Sequence, residues 1–163
     1  MDPDTEEYLN ALDSDLRQRR DRSGELDELF QLSFLGDRDV RVRASWCVAK
    51  MGQNKIPDMR ILDILYSMLG DEDPQVRENV AWGIGEVAGA GVGDERSLDA
   101  VMTLMKDHAN SVRGTAAWAA GRLRHRLGIE DEEMLALLSS LQNDPSMLVR
   151  QAAEYALGPD EQD

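Results

Sequence analysis

Cysteine occurs once, at Cys47, which excludes an internal disulfide framework and a multi-thiolate metal site. No apolar run is long enough to cross a bilayer. The N-terminal stretch MDPDTEEYLNAL is acidic and polar, unlike a secretory signal, so a cytoplasmic protein is expected. Lysine is scarce, with Lys50, Lys55 and Lys106 set against fifteen arginines. Positive charge as a whole is short: 18 basic residues face 32 acidic ones, for a net charge of −14. That balance repels phosphate polyanions and anionic membranes, so neither nucleic acid nor membrane is expected as a partner. Aromatic residues make up only 5%. The apolar content comes mostly from Ala, Leu, Val, Ile and Met, which favours helices over a β-sandwich. A chain of 163 residues is long enough for one domain with a continuous core.

The chain repeats itself. VRVRASWCVAKMG from Val40, VRENVAWGIGEVAG from Val76, VRGTAAWAAGRLRH from Val112 and VRQAAEYALG from Val149 align on Val-Arg. All three tryptophans, Trp46, Trp82 and Trp118, then fall six residues after the valine, and Tyr155 takes that place in the last copy. An apolar run and an acidic turn precede each copy: Leu26 to Leu35, Met59 to Leu69, Leu98 to Met105 and Met134 to Leu141. Each unit therefore predicts a helix, a tight turn, a second helix and a connector. Pro74 and Pro145 suit first-turn positions. Gly52, Gly89, Gly128 and Gly158 stand where helix C-caps are expected. In the first unit Val40 is the matching valine. That choice places Ala44, Cys47, Val48 and Met51 on the core face, whereas matching Val42 would bury Lys50.

The acidic turn, Val-Arg and the following run of small and branched residues (Val76-Arg77, Val80-Ala81, Gly83-Ile84-Gly85, Val87) resemble the HEAT repeat, in the short form named from phycobilisome lyases and common in archaea and bacteria. The resemblance covers about residues 23–158. It implies an all-α fold, a short right-handed α-solenoid of about four helical hairpins whose second helices line the concave side. It also implies an Asp–Arg ladder between repeats. The expected division is an N-terminal capping helix in 1–22, repeats at about 23–54, 55–92, 93–128 and 129–158, and an acidic tail in 159–163. In the first segment Tyr8, Leu9, Leu12 and Leu16 recur at helical spacing, forming a stripe to cover the open edge of the first repeat. Glu154, where the other units have a small residue, and the polar tail point to an end of the array.

Helical phase selects the candidate site. With the valine of each second helix at zero and about 100° per residue, positions +4, +7, +8 and +11 form the core stripe. Position +6 lies at about 240°, nearly opposite. Its surface neighbours at +2, +3 and +10 include Val42, Arg43 and Lys50; Glu78, Asn79 and Glu86; Gly114, Thr115 and Arg122; and Gln151 and Ala152. The predicted binding face is therefore Arg43, Trp46, Lys50, Asn79, Trp82, Glu86, Thr115, Trp118, Arg122 and Tyr155. Two readings of the aromatic column stand side by side. In one the rings pack between repeats. In the other they face a ligand, an extended or helical segment lying along a column of about 30 Å. Arg122 beside Trp118 suits a carboxylate or an aromatic partner.

Catalytic chemistry finds little support. His108 and His125 lie apart, without the spacing of a metal pair. Gly89 to Gly93 lacks the Lys and Ser/Thr of a phosphate loop and follows a helix. Cys47 falls on the core stripe. The turn acids Asp37, Asp39, Asp71, Asp73, Asp107 and Asp144 recur once per repeat, as caps and arginine partners do. The run Arg122 to Arg126 complements a helix C-terminus or serves an acidic partner. No cofactor and no enzymatic activity are expected. The favoured reading is a scaffold or adaptor holding another protein or peptide in the concave groove. The alternative, resting on resemblance alone, is a subunit of a chromophore lyase or cofactor-assembly factor.

Overall fold

Aspartates start most of the helices. In the computed structural model, which describes residues 1–160, the side chain of Asp2 caps α1 (Pro3–Arg17) and that of Asp37 caps α3 (Arg38–Gln53). Asp73 caps α5 (Pro74–Gly89), Asp94 caps α6 (Glu95–Leu104) and Asp131 caps α8 (Glu132–Leu141). Each carboxylate satisfies amide donors that have no partner inside the helix. The remaining helices are α2 (Leu26–Leu35), α4 (Arg60–Ser67), α7 (Asn110–Leu127) and α9 (Met147–Leu157). No strand occurs among the described residues. Residues 161–163, the end of the acidic tail, lie outside them.

The helices pair as α2/α3, α4/α5, α6/α7 and α8/α9, and the pairs stack. The second helices α3, α5, α7 and α9 pack closely in sequence, while the first helices barely touch one another. Close approach depends on small residues. A Cβ on Gly83 would come within 2.6 Å of Leu65 Cδ1 and 3.1 Å of Ala49 Cβ. Helix α1 lies against α3 and extends the layer of second helices, with Leu9, Leu12 and Leu16 fully buried. The Val40 register is correct, since Val40, Ala44, Cys47, Val48 and Met51 are all buried.

The turns are tied by a ladder. Arg41 donates from Nε to Asp71 Oδ2 at 2.8 Å and from Nη2 to Oδ1 at 3.2 Å. Arg77 grips Asp107 in the same way at 2.7 and 3.1 Å, and Arg113 grips Asp144 at 2.8 and 3.0 Å. Each of these aspartates also accepts the amide two residues ahead, at 2.9 Å, so one carboxylate shapes its own turn and anchors the preceding repeat. Each arginine donates Nη1 to carbonyls of its own turn as well. Arg150 keeps those carbonyl bonds, to Asp144 and Pro145, but has no carboxylate partner among the described residues.

Two expectations about helix ends are corrected. Pro74 opens α5, but Pro145 lies before the Ser146 cap of α9, outside the helix. Of the four expected C-cap glycines only Gly128 is left-handed, with φ +69°. Gly52 and Gly89 stay within the last turn of α3 and α5, whereas Gly158 is the C-cap of α9 as expected, though in an extended conformation. After α3 the left-handed residue is Lys55, at φ +65°.

Candidate functional site

The tryptophans take a position between the two readings of the column. Trp46, Trp82, Trp118 and Tyr155 are each half-buried. Phase about one helix axis placed them opposite their own hairpin partner. The second helices, however, are also flanked by one another, and that flank covers part of each ring. Trp118 lies over α5 at Gly85, where a Cβ would meet Trp118 Cζ3 at 2.4 Å. Tyr155 lies over Gly121 in the same fashion, with Cε2 2.8 Å from a Cβ built there. A glycine at +9 thus seats the +6 ring of the following repeat. Trp82 instead leans toward Trp46, with ring centroids 6.5 Å apart and planes tilted by 33°. The column is therefore uneven, with a close pair at one end and two glycine-seated rings at the other.

Several of the predicted site residues are occupied within the fold. Asn79 is 6% exposed, at the floor of a small cavity that Arg43 and Trp46 also line. Its Nδ2 donates to Val42 O at 3.2 Å and Ser45 Oγ at 3.0 Å, joining α5 to α3. At +3 the side chain points along the flank toward the preceding helix, which the phase angle alone did not reveal. Arg43 donates to Asn10 Oδ1 of α1 at 2.7 Å. Lys50 contacts Gln53 Oε1. Arg122 is turned back onto α5: its guanidinium lies 5.5 Å from the Trp118 centroid and its Nε is 3.4 Å from Gly85 O. Trp46 is capped by Arg17 of α1 at 4.7 Å. Glu86 and Thr115 remain half-buried on this face.

Besides the cavity of about 180 Å³ beside Trp46, a cavity of about 480 Å³ opens across α5, α7 and α9. Helix α5 supplies Glu78 and Trp82; α7 supplies Asn110, Ser111, Gly114, Thr115 and Trp118; the α9 end supplies Ser146, Leu148 and Ala152. It lies where Trp82 leans away and Trp118 settles onto Gly85. Glu78 is its only charged lining residue. Burial pushes the Glu78 carboxyl above the ordinary carboxylate value, and hydrogen bonds with Thr115 and Ser111 oppose that rise only in part. No ion-pair partner of Glu78 occurs among the described residues. Leu148 is 72% exposed at the rim.

The binding-residue prediction covered Trp82, Thr115 and Trp118 but not Ser111, Leu148 or the carboxylate of Glu78. The signal was present. Ser111 and Leu148 stand one residue before the valine, at about 260° on the same helical scale, beside position +6. Glu78 stands at +2, already among the surface neighbours of position +6.

The basic run at the end of α7 has a structural role. Arg124 Nη1 donates to the carbonyls of Ala156, Leu157 and Gly158 at 3.3, 3.2 and 2.7 Å. His125 Nε2 lies 2.9 Å from Gly158 O, and Arg126 pairs with Asp160 at 2.9 Å. Positive charge complements a helix C-terminus; the run stands in the last turn of α7 and also reaches the C-terminal carbonyls of α9. Cys47 is buried, which pushes its thiol up to about 12, away from nucleophilic reactivity.

A family model described as HEAT repeats matches residues 62–158, more than half of the chain. The protein belongs to the HEAT repeat family. The phycobilisome-lyase subtype suggested by the sequence is not distinguished by this match. No curated protein matches. Among solved structures, a designed armadillo repeat protein in complex with the peptide (KR)4 is similar, at 20% identity and a TM-score of 0.65. The match covers 82% of this chain and 63% of that one, so the HEAT repeat protein spans less than two thirds of its neighbour's length. At that identity the likeness speaks for the fold, an α-helical repeat solenoid. No helix among the described residues is long and apolar enough to cross a membrane.

Acrylamide is expected to quench the tryptophan emission only in part, since Trp46 and Trp118 are packed against the core and Trp82 is half-buried. Arg17→Ala should raise the quenchable fraction by uncovering Trp46. An emission fully open to quencher in the folded wild-type protein would contradict the seating of Trp118 on Gly85.

Proposed function

We propose that this HEAT repeat protein is a non-enzymatic scaffold that holds an extended segment of a partner protein along its second helices, centred on the cavity between Trp82 and Trp118. The observation carrying this reading is the cavity itself. Its volume of about 480 Å³ is in the range of ligand pockets, which are mostly apolar with a few convergent polar groups. Two tryptophans line it, and Trp is among the residues most enriched in binding hot spots. The similar designed armadillo repeat protein holds a peptide, (KR)4, which supports the idea that a solenoid of this architecture suits a peptide partner. The net charge of −14 argues against nucleic acid in the same place.

The test is selection from a random peptide display library, followed by titration of the selected peptides. Trp82→Ala is expected to weaken them at least tenfold, in keeping with about 2 kcal/mol for a hot-spot tryptophan, while the helical circular dichroism is retained. Selected peptides that bind Trp82→Ala and Trp118→Ala as well as wild type would overturn the reading.

A further inference from the structure

Cations already lie on the aromatic rings of this protein. Arg17 covers Trp46 at 4.7 Å, Arg122 covers Trp118 at 5.5 Å, and Arg96 covers Tyr66 at 4.8 Å. A guanidinium over an indole is attracted by the negative face of the ring. Among the described residues none lies over Trp82. Four residues before Trp82, on the same side of α5, stands Glu78. It is half-buried, is the only charged group lining the cavity, and has no basic neighbour in ion-pair range. Elsewhere the partly buried carboxylates Asp71, Asp107 and Asp144 each hold an arginine. Glu78 and Trp82 together therefore offer what a cation needs, a carboxylate and a ring, without a cation supplied by the chain itself.

We infer that the cavity receives a basic side chain, lysine or arginine, of the bound segment, with its charge against Glu78 and its stem along Trp82. The inference rests on the peptide-binding reading above and names the chemistry of the residue that enters. The energetics favour it. A carboxylate removed from water is costly until it is paired. An incoming cation recovers that cost, adds the ring attraction, and buries its aliphatic stem against Trp82 and Leu148. A neutral or acidic side chain recovers none of it. Thr115 and Ser111 line the same wall of the cavity as Glu78 and add hydroxyl groups beside its carboxylate.

The experiment uses the full chain labelled with ¹⁵N and four octapeptides in a Gly/Ser background. The central residue is arginine, lysine, citrulline (the neutral isostere of arginine) or leucine. The Trp82 and Trp118 indole N–H signals report binding, assigned from the single tryptophan variants. The arginine and lysine peptides are expected to move these signals with at least tenfold higher affinity than the citrulline and leucine peptides. In Glu78→Gln that preference should collapse to less than about twofold, whereas Glu133→Gln, which also removes one negative charge but at an exposed position of the first helix α8, should keep it. Leucine or citrulline binding as tightly as arginine would overturn the cation assignment and leave the peptide-binding reading standing. Equal loss of the preference in Glu133→Gln would trace it to overall charge and overturn the Glu78 assignment. If no peptide moves either indole, the cation inference fails. Whether the broader reading fails with it is then decided by the display selection, which does not presuppose a basic residue.

Discussion

Gly85→Val is expected to lower stability by about 3 kcal/mol, at the upper end of the cost of overfilling a packed site. The cause is steric. The Trp118 ring already lies where any Cβ would be, with Cζ3 at 2.4 Å. Valine forces the indole off α5, exposing its seated face and pulling its Arg122 cover with it. Helix propensity acts in the opposite direction, because glycine is a poor helix former by about 1 kcal/mol relative to alanine, but that gain is smaller than the clash. Urea denaturation of four proteins measures it: wild type, Gly85→Val, Trp118→Ala and the double variant. With the ring gone the added side chain has room, so the two losses should fall short of additivity by about 1 kcal/mol or more. Additive losses would show that the glycine is not there to seat the tryptophan.

Asp107→Ala is expected to be the most damaging polar substitution, at about 3 kcal/mol. Arg77 and Asp107 are 14% and 9% exposed, and removing the carboxylate leaves the guanidinium nearly buried without its counter-charge. The turn also loses the acceptor for the Ala109 amide. The exposed pair Arg38–Asp39, with 62% and 72% exposure, is the control, and Asp39→Ala should change the denaturation midpoint little. Equal effects of the two substitutions would refute a stabilising ladder.

The same rungs set an acid limit. Burial alone would raise the Asp107 carboxyl, but hydrogen bonds from Arg77 and the Ala109 amide outweigh it and hold it below the ordinary 3.8. Asp144 is held below 3.8 by Arg113 first, against a smaller opposing effect of burial. A carboxylate with a depressed folded-state value contributes stability that is fully present above its unfolded value. That contribution is lost as pH falls through the folded value. The Arg77–Asp107 and Arg113–Asp144 rungs are therefore expected to be intact above about pH 4 and to fail progressively below it. Asp107→Asn should flatten that part of the pH–stability curve, as followed by thermal melts between pH 2 and 6.

The sequence by itself determined the repeat. Every Trp at one phase, a Val-Arg start and a recurring acidic turn set the number of hairpins, their order and the valine register of the first unit. They do so because the helical period and capping chemistry are local, fixed within one or two turns of chain. It also determined which side of each second helix is core, since the small and branched residues at +4, +7, +8 and +11 admit one buried stripe. Only the tertiary structure decided what the other side does. Asn79 reaching α3, Trp118 seated on Gly85, Arg122 folded back and Arg17 laid over Trp46 are contacts between units about thirty or more residues apart. A phase angle places a side chain around its own helix axis, but not against the neighbour that stacking brings to its flank. The cavity belongs to this second class: it exists because Trp82 leans toward one neighbour while Trp118 rests on another. That difference lies in how adjacent repeats pack, which no single repeat encodes.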